Sequence, residues 1–112
     1  MPNGPWKSPA DDGESMVFAL RHPLRRELLV VFADGVHSPK ELAARLREEL
    51  SLVAYHTRAL KFYGVVELVD TRPSRGSTQH FYRATELGRR ALELGRSTGM
   101  IDEDDGDAGQ PG

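Results

Sequence analysis

In the stretch "SLVAYHTRALKFYG", residues 51–64, a hydroxyl (Ser51), a phenol (Tyr55) and a guanidinium (Arg58) recur at helical spacing. At about 100° per residue they share one side of a helix with Phe62, while Val53, Thr57 and Leu60 cluster within about 60° on the other. An apolar inner arc with a polar, cationic outer face is the pattern of a helix that meets a polyanion. Arg58 can fork onto a guanine edge or hold a phosphate. Tyr55 can donate to a phosphate or stack on a sugar or a thymine methyl, and Ser51, at the helix start, suits a phosphate oxygen. Leu52 and Ala54 flank this face, and Lys61 adds a cation one turn on. Ser38 and Lys40 open another helix and offer a second anion-binding start. Arg72 and Arg75 stand in "TRPSRGS", a basic loop able to reach a flanking minor groove or backbone. Residues 51–84 hold five bases (Arg58, Lys61, Arg72, Arg75, Arg83) against Glu67 and Asp70, a local net charge of +3.

Other chemistries find little support. His22, His37, His56 and His80 have no histidine partner at i,i+3 or i,i+4, and there is no cysteine, so no metal site and no cofactor is expected. His56 lies beside the buried arc and reads as a packed, hydrogen-bonded histidine. The acidic "DEDDGD" misplaces the glycine and lacks the closing Glu of a calcium loop. Phosphate loops, nucleophile elbows and HExxH are absent, so the chain is not expected to be an enzyme.

The elements that must position these residues follow from apolar period and punctuation. "ESMVFALRH" is a short amphipathic helix with Met16, Val17 and Leu20 apolar. In "HPLRRELLVVFADG", Pro23 fits a first helical turn, Leu24, Leu28, Val31 and Phe32 recur at helical spacing, and Gly35 offers a left-handed stop. "VHS" is short and extended. "SPKELAARLREEL" carries a capping box, Ser38 with Glu41, and has Leu42 and Leu46 on its inner face. A tight turn through Arg47 leads to the helix over 51–63, capped by Ser51 and closed at Gly64. "VVELVD" and "TQHFYRA" read as strands joined by the loop "TRPSRGS". Thr85 caps a last helix with Leu87, Ala91 and Leu94 on one face. Gly88 and Gly95 weaken it by about 1 kcal/mol each, so it needs a packing partner. The expected fold is mostly α with a small β-hairpin, a winged helix-turn-helix in the order α-α-β-α-α-β-β-α.

One domain is all that 112 residues support. It is expected over 14–98, between a disordered tail at 1–13 that carries Trp6 and a disordered acidic tail at 99–112. The absence of cysteine suits a reducing cytoplasm, and the apolar run "LLVVFA" is too short to span a bilayer, so a cytoplasmic chain without membrane contact is expected. The formal net charge of −2 conceals segregation. Residues 21–96 carry 14 Lys/Arg against 9 Asp/Glu, whereas residues 97–112 carry five acids and no base. A basic body with an acidic tail fits a polyanionic partner that the tail mimics, or a tail that only aids solubility.

"ALRHPLRRELLVVFADG", "SPKELAARL", "VAYHTRALKFYGVVELV", "TRPSRGSTQHFYRAT" and "ELGRRAL" together resemble the ArsR-type winged helix-turn-helix regulators of prokaryotes, in a metal-independent branch. The resemblance covers residues 19–92. It implies a homodimeric transcription factor that binds double-stranded DNA. The second helix of the pair reads the major groove, with Leu52, Ala54, Tyr55 and Arg58 as base-reading positions. The wing, residues 70–80, meets flanking DNA. The terminal helices form the dimer contact through Met16, Leu20, Leu87, Ala91 and Leu94. The chain departs from the family pattern in three ways: Arg47 stands where glycine is usual in the turn, Leu52 and Ala54 are apolar where polar residues are common, and Phe62 is apolar where a charge is usual. That apolar content leaves a second reading, a winged-helix module that binds protein and has little DNA affinity.

Overall fold

The computed structural model describes residues 11–102. The tails expected at either end therefore lie outside the described residues, Trp6 included, apart from the short stretches at 11–13 and 99–102. The elements are α1 (Asp12–Leu20), α2 (Pro23–Asp34), α3 (Pro39–Leu46), α4 (Leu50–Phe62), β1 (Val66–Ser74), β2 (Ser77–Ala84) and α5 (Glu86–Ser97).

Helix starts follow the chemistry of their caps. Asp11 accepts from the Glu14 N–H at 2.7 Å, so α1 begins two residues before the boundary expected at 14. The His22 Nδ1 accepts from the Leu24 N–H at 3.0 Å, with Pro23 in the first turn of α2. Both arms of the capping box on α3 are made: the Glu41 N–H donates to the Ser38 Oγ at 3.2 Å, and the Ser38 N–H donates to the Glu41 carboxylate at 2.9 Å. Gly35 departs from expectation. Its φ of 176° is extended backbone, so α2 ends without a left-handed residue. The expected short strand at 36–38 is one antiparallel bridge, in which His37 and Tyr82 exchange backbone hydrogen bonds of 3.0 and 2.9 Å.

Leu28, Leu29 and Phe32 of α2 are fully buried and form the centre of the core. Leu42 of α3, Val53 and Leu60 of α4, Val65, and Ala91 of α5 close around them. In α1 the buried residues are Ser15, Ala19 and Leu20, while Val17, expected on the apolar face, is exposed. Gly88 lies where α5 passes so close to the Val65 carbonyl that a Cβ would overlap it. Close approach thus accounts for a glycine that weakens the helix. Ile101, placed by sequence in the acidic tail, is buried against Gly95 and Leu20 and belongs to the core.

The turn between α3 and α4 is made by Arg47 in the left-handed region, φ 59°, at the position where the resembling family has glycine. The hairpin is longer and its loop shorter than expected. Thr71 to Ser74 pair as strand with His80 to Ser77, leaving only Arg75 and Gly76 in the turn, with Gly76 at φ 79°. An irregularity between Leu68 and Asp70 shifts the register. Two helices joined by a tight turn, followed by a hairpin against the bundle, make a winged helix-turn-helix.

Candidate nucleic-acid interface

The second helix of the pair, α4, is seated by one arc and open on the other. Val53, His56, Thr57 and Leu60 are buried, while Ser51, Leu52, Tyr55, Arg58, Lys61 and Phe62 are exposed, Tyr55 to 60%. The helical period therefore divides the faces as the sequence predicts. Ser51 does not cap the helix: α4 begins earlier, with Glu49 as N-cap and no side-chain cap bond. Ser51 stands inside the first turn, where its own N–H takes no backbone acceptor and the dipole favours an anion.

A stack of rings fixes α4 against its neighbours. Tyr63, just past the helix end, stacks on Phe18 of α1 at 3.8 Å and 4°. The Arg25 guanidinium of α2 lies 3.8 Å from the same Phe18 ring, and its Nε donates to the Phe18 carbonyl at 2.9 Å. Phe62 packs edge-on against Tyr63 yet stays 44% exposed. Sequence periodicity assigns Phe18 no role, because its partners come from two other helices.

His56 is buried as expected, but its Nδ1 has no hydrogen-bond partner. It lies against the His22 ring at 4.5 Å and the Tyr55 ring at 5.2 Å. Burial first, then the neighbouring His22 and Arg25, hold its pKa below the ordinary 6.5. The imidazole is therefore neutral at physiological pH, a packing group on the inner side of α4.

The basic residues divide into paired and unpaired. In the wing, Arg72 is bound by Asp70 at 2.9 Å and lies over the Phe81 ring at 4.3 Å, which removes it from the free cations expected of the loop. Arg83 is bound by Glu67 at 3.0 Å. Among the described residues no carboxylate lies within ion-pair distance of Lys40, Arg58, Lys61 or Arg75. These four, on the first turn of α3, on α4 and at the wing tip, bring uncompensated positive charge to this side.

Between α3, α4 and the wing lies a cleft of about 210 Å³. Ser38 and Lys40 line it from α3, Leu50, Ala54 and Arg58 from α4, and Thr78, His80 and Tyr82 from one face of β2. Ser38 joins two walls: its Oγ donates to the Gln79 Oε1 at 2.9 Å. The Gln79 amide nitrogen in turn donates to the Ser74 Oγ at 3.3 Å. Tyr82 is 6% exposed, with its ring edge-on to Phe32 at 6.1 Å. Its hydroxyl makes no hydrogen bond among the described residues and is reached from the open cleft rather than sealed in the core. Burial raises its pKa above the ordinary 10.0, against a smaller opposing effect of Arg58, so it remains a neutral O–H. Sequence reasoning missed Tyr82 and His80. Counting back by two from the buried Ala84 places both on one strand face, a signal present in the sequence.

The residues expected at a dimer seam separate. Leu20 and Ala91 are 2% and 0% exposed inside the domain's own core, so they are not available to a partner. Met16 and Leu87 pack partly against that core. Leu94 is exposed, as is Val17, and Asp12 binds Arg90 across the two helices at 3.4 Å. Among the described residues no group of three or more His, Cys, Asp or Glu could hold a metal ion, and no helix is long and apolar enough to cross a membrane.

No protein-family model matches the sequence, and no curated protein matches it. Several solved structures are similar, two of which are of the protein HlyU. Reduced HlyU from Vibrio cholerae N16961 superposes with a TM-score of 0.60 at 23% identity, covering 78% of this chain and 87% of that one. HlyU from the same organism gives 0.59 at 25% identity, covering 77% and 90%. The likeness spans most of both chains and shows the winged helix-turn-helix fold.

Proposed function

We propose that the chain is a DNA-binding transcriptional regulator that lays the outward face of α4 in the major groove and the wing tip along the flanking backbone. The observation that carries this reading is the set of four uncompensated cations, Lys40, Arg58, Lys61 and Arg75, on the elements around the exposed face of α4. The major groove admits a helix, and α4 has its other side committed to the core. Ser51, Leu52, Ala54 and Tyr55 then face the base edges, with Leu52 and Ala54 suited to thymine methyls rather than hydrogen-bonded readout. Arg72 serves the wing by bracing it, since Asp70 and Phe81 already hold it. The resemblance to ArsR-type regulators and the fold likeness to HlyU support the same reading.

The regulator acts as a homodimer in this reading, with the outer faces of α1 and α5 at the seam through Val17 and Leu94. Two α4 helices then meet successive major grooves about 34 Å apart. Replacing Val17 and Leu94 together by Glu is expected to give a monomer in sedimentation velocity, and a native chain that stays monomeric at all concentrations would contradict the dimer.

Selection of bound duplexes from a random library tests the function. The expected result is a motif repeated about one helical turn apart. A library that emerges unenriched, with no retention at low salt, would end the reading. A second reading, a protein-binding module, is favoured by the apolar part of the α4 face: Leu50, Leu52 and Phe62 are each 40% exposed or more. Binding of a protein unaffected by salt, without affinity for duplex DNA, would decide for it.

A further inference from the structure

We propose that the cleft between α3, α4 and β2 seats a single phosphodiester of the DNA backbone, with the Tyr82 hydroxyl as its neutral donor and Lys40 and Arg58 as its cations. The inference rests on the reading of the chain as a duplex binder and deepens it by giving Arg58 and Tyr82 a specific partner.

A hydroxyl that makes no hydrogen bond within the protein and opens onto a cleft is placed to donate to an acceptor that enters it. Tyr82 is such a group, 6% exposed and on the cleft wall. Its neighbours decide what the acceptor is. Ser38 and Gln79 are already engaged with each other, and Gln79 also with Ser74. What remains toward the cleft is Lys40, Arg58, the Thr78 hydroxyl and the imidazole of His80, while no carboxylate lines it. The Lys40 N–H, in the first turn of the eight-residue α3, also takes no acceptor among the described residues. A cleft that offers two cations, an unpaired phenol O–H and an unpaired helix N–H is built for an anion with several acceptor oxygens. Its place favours backbone over base. It lies beside α4, between helix and wing, whereas Ser51 and Tyr55 occupy the outward face that would meet base edges.

The test uses the full chain and a labelled duplex from the selection, with a scrambled duplex beside it, in anisotropy titrations. Tyr82→Phe removes one oxygen that has no partner in the free protein, so its melting temperature should match or exceed that of the native chain. Its affinity should fall about tenfold on both duplexes alike, with the dependence on salt unchanged, because a neutral donor releases no counterion. Lys40→Ala should instead reduce the slope of log K against log salt by about 1. A scan with single neutral methylphosphonates should find one position per half-site that weakens native binding and weakens Tyr82→Phe less, because only the Lys40 and Arg58 contacts remain there to be lost. If the native chain binds with steep salt dependence but Tyr82→Phe binds equally well and no such position exists, the seat is wrong and the duplex reading survives. A loss confined to the selected duplex would make Tyr82 a base contact and also overturn the seat. If the native chain has no duplex affinity at low salt, both readings fall. Should Tyr82→Phe fail to fold, a native-chain scan with no sensitive position is enough to reject the seat.

Discussion

Ser38→Ala isolates the contact that ties the helix pair to the wing. The Ser38 hydroxyl is 1% exposed, accepts from the Glu41 N–H at 3.2 Å and donates to Gln79 at 2.9 Å. Loss of an N-cap oxygen costs about 1 kcal/mol. The Gln79 carbonyl oxygen, left without its donor in a half-buried position, adds about another 1 kcal/mol. The backbone arm from the Ser38 N–H to Glu41 survives the substitution, so the expected total is about 2 kcal/mol, about a thirtyfold shift in the folding equilibrium. Urea denaturation followed by circular dichroism reads it as a lower midpoint with unchanged slope. Gln79→Ala supplies the control: the two substitutions together should cost less than their sum by about 1 kcal/mol, because they remove the same bond. A loss below about 0.5 kcal/mol for Ser38→Ala, or strict additivity with Gln79→Ala, would refute the link between α3 and the wing.

Thr57 has a fully buried Oγ1 without a partner, so Thr57→Val should raise stability by about 1 kcal/mol, and a loss in the same denaturation assay would mean the hydroxyl is satisfied. His56 has a folded pKa below its ordinary 6.5, so the unfolded chain binds the proton more readily. Its contribution is fully present above about pH 6.5 and is lost as pH falls toward the depressed folded value. His56→Phe should flatten that part of the stability profile, and an unchanged profile would assign the acid sensitivity elsewhere. In the wing, Arg75→Ala should lower the salt slope of duplex binding by about 1, whereas Arg72→Ala should chiefly loosen the hairpin, because Asp70 already neutralises Arg72. Equal slopes for the two variants would contradict this division.

The sequence was most legible where a local rule sufficed. The capping box at Ser38, Pro23 in a first turn, and the division of α4 into Val53, Thr57 and Leu60 against Tyr55 and Arg58 follow from short-range chemistry. Readings failed where an outcome depended on a distant partner. Gly35 looked like a left-handed stop, yet the chain leaves α2 extended toward the His37–Tyr82 bridge. Ser51 looked like a cap because α4 was expected to start at 51, one residue after the helix begins. Leu20 and Ala91 share helix faces with residues that are exposed, and only the packing of α1 on α5 turns them inward. Arg72 counted as a free cation until its pairing with Asp70 and Phe81 was visible. Tyr82 was legible by alternation from Ala84, but its place on the cleft depended on the packing of β2 beside α3 and α4.

The most direct test of the central claim is the salt dependence of duplex binding by the native chain. Lys40, Arg58, Lys61 and Arg75 on each protomer predict that log K falls linearly with log salt, with a slope of about −3.5 per protomer engaged. Replacing Lys40, Arg58, Lys61 and Arg75 together by Gln should abolish most of that slope while leaving the fold intact. A native slope near zero, or the same slope in the variant, would contradict the account.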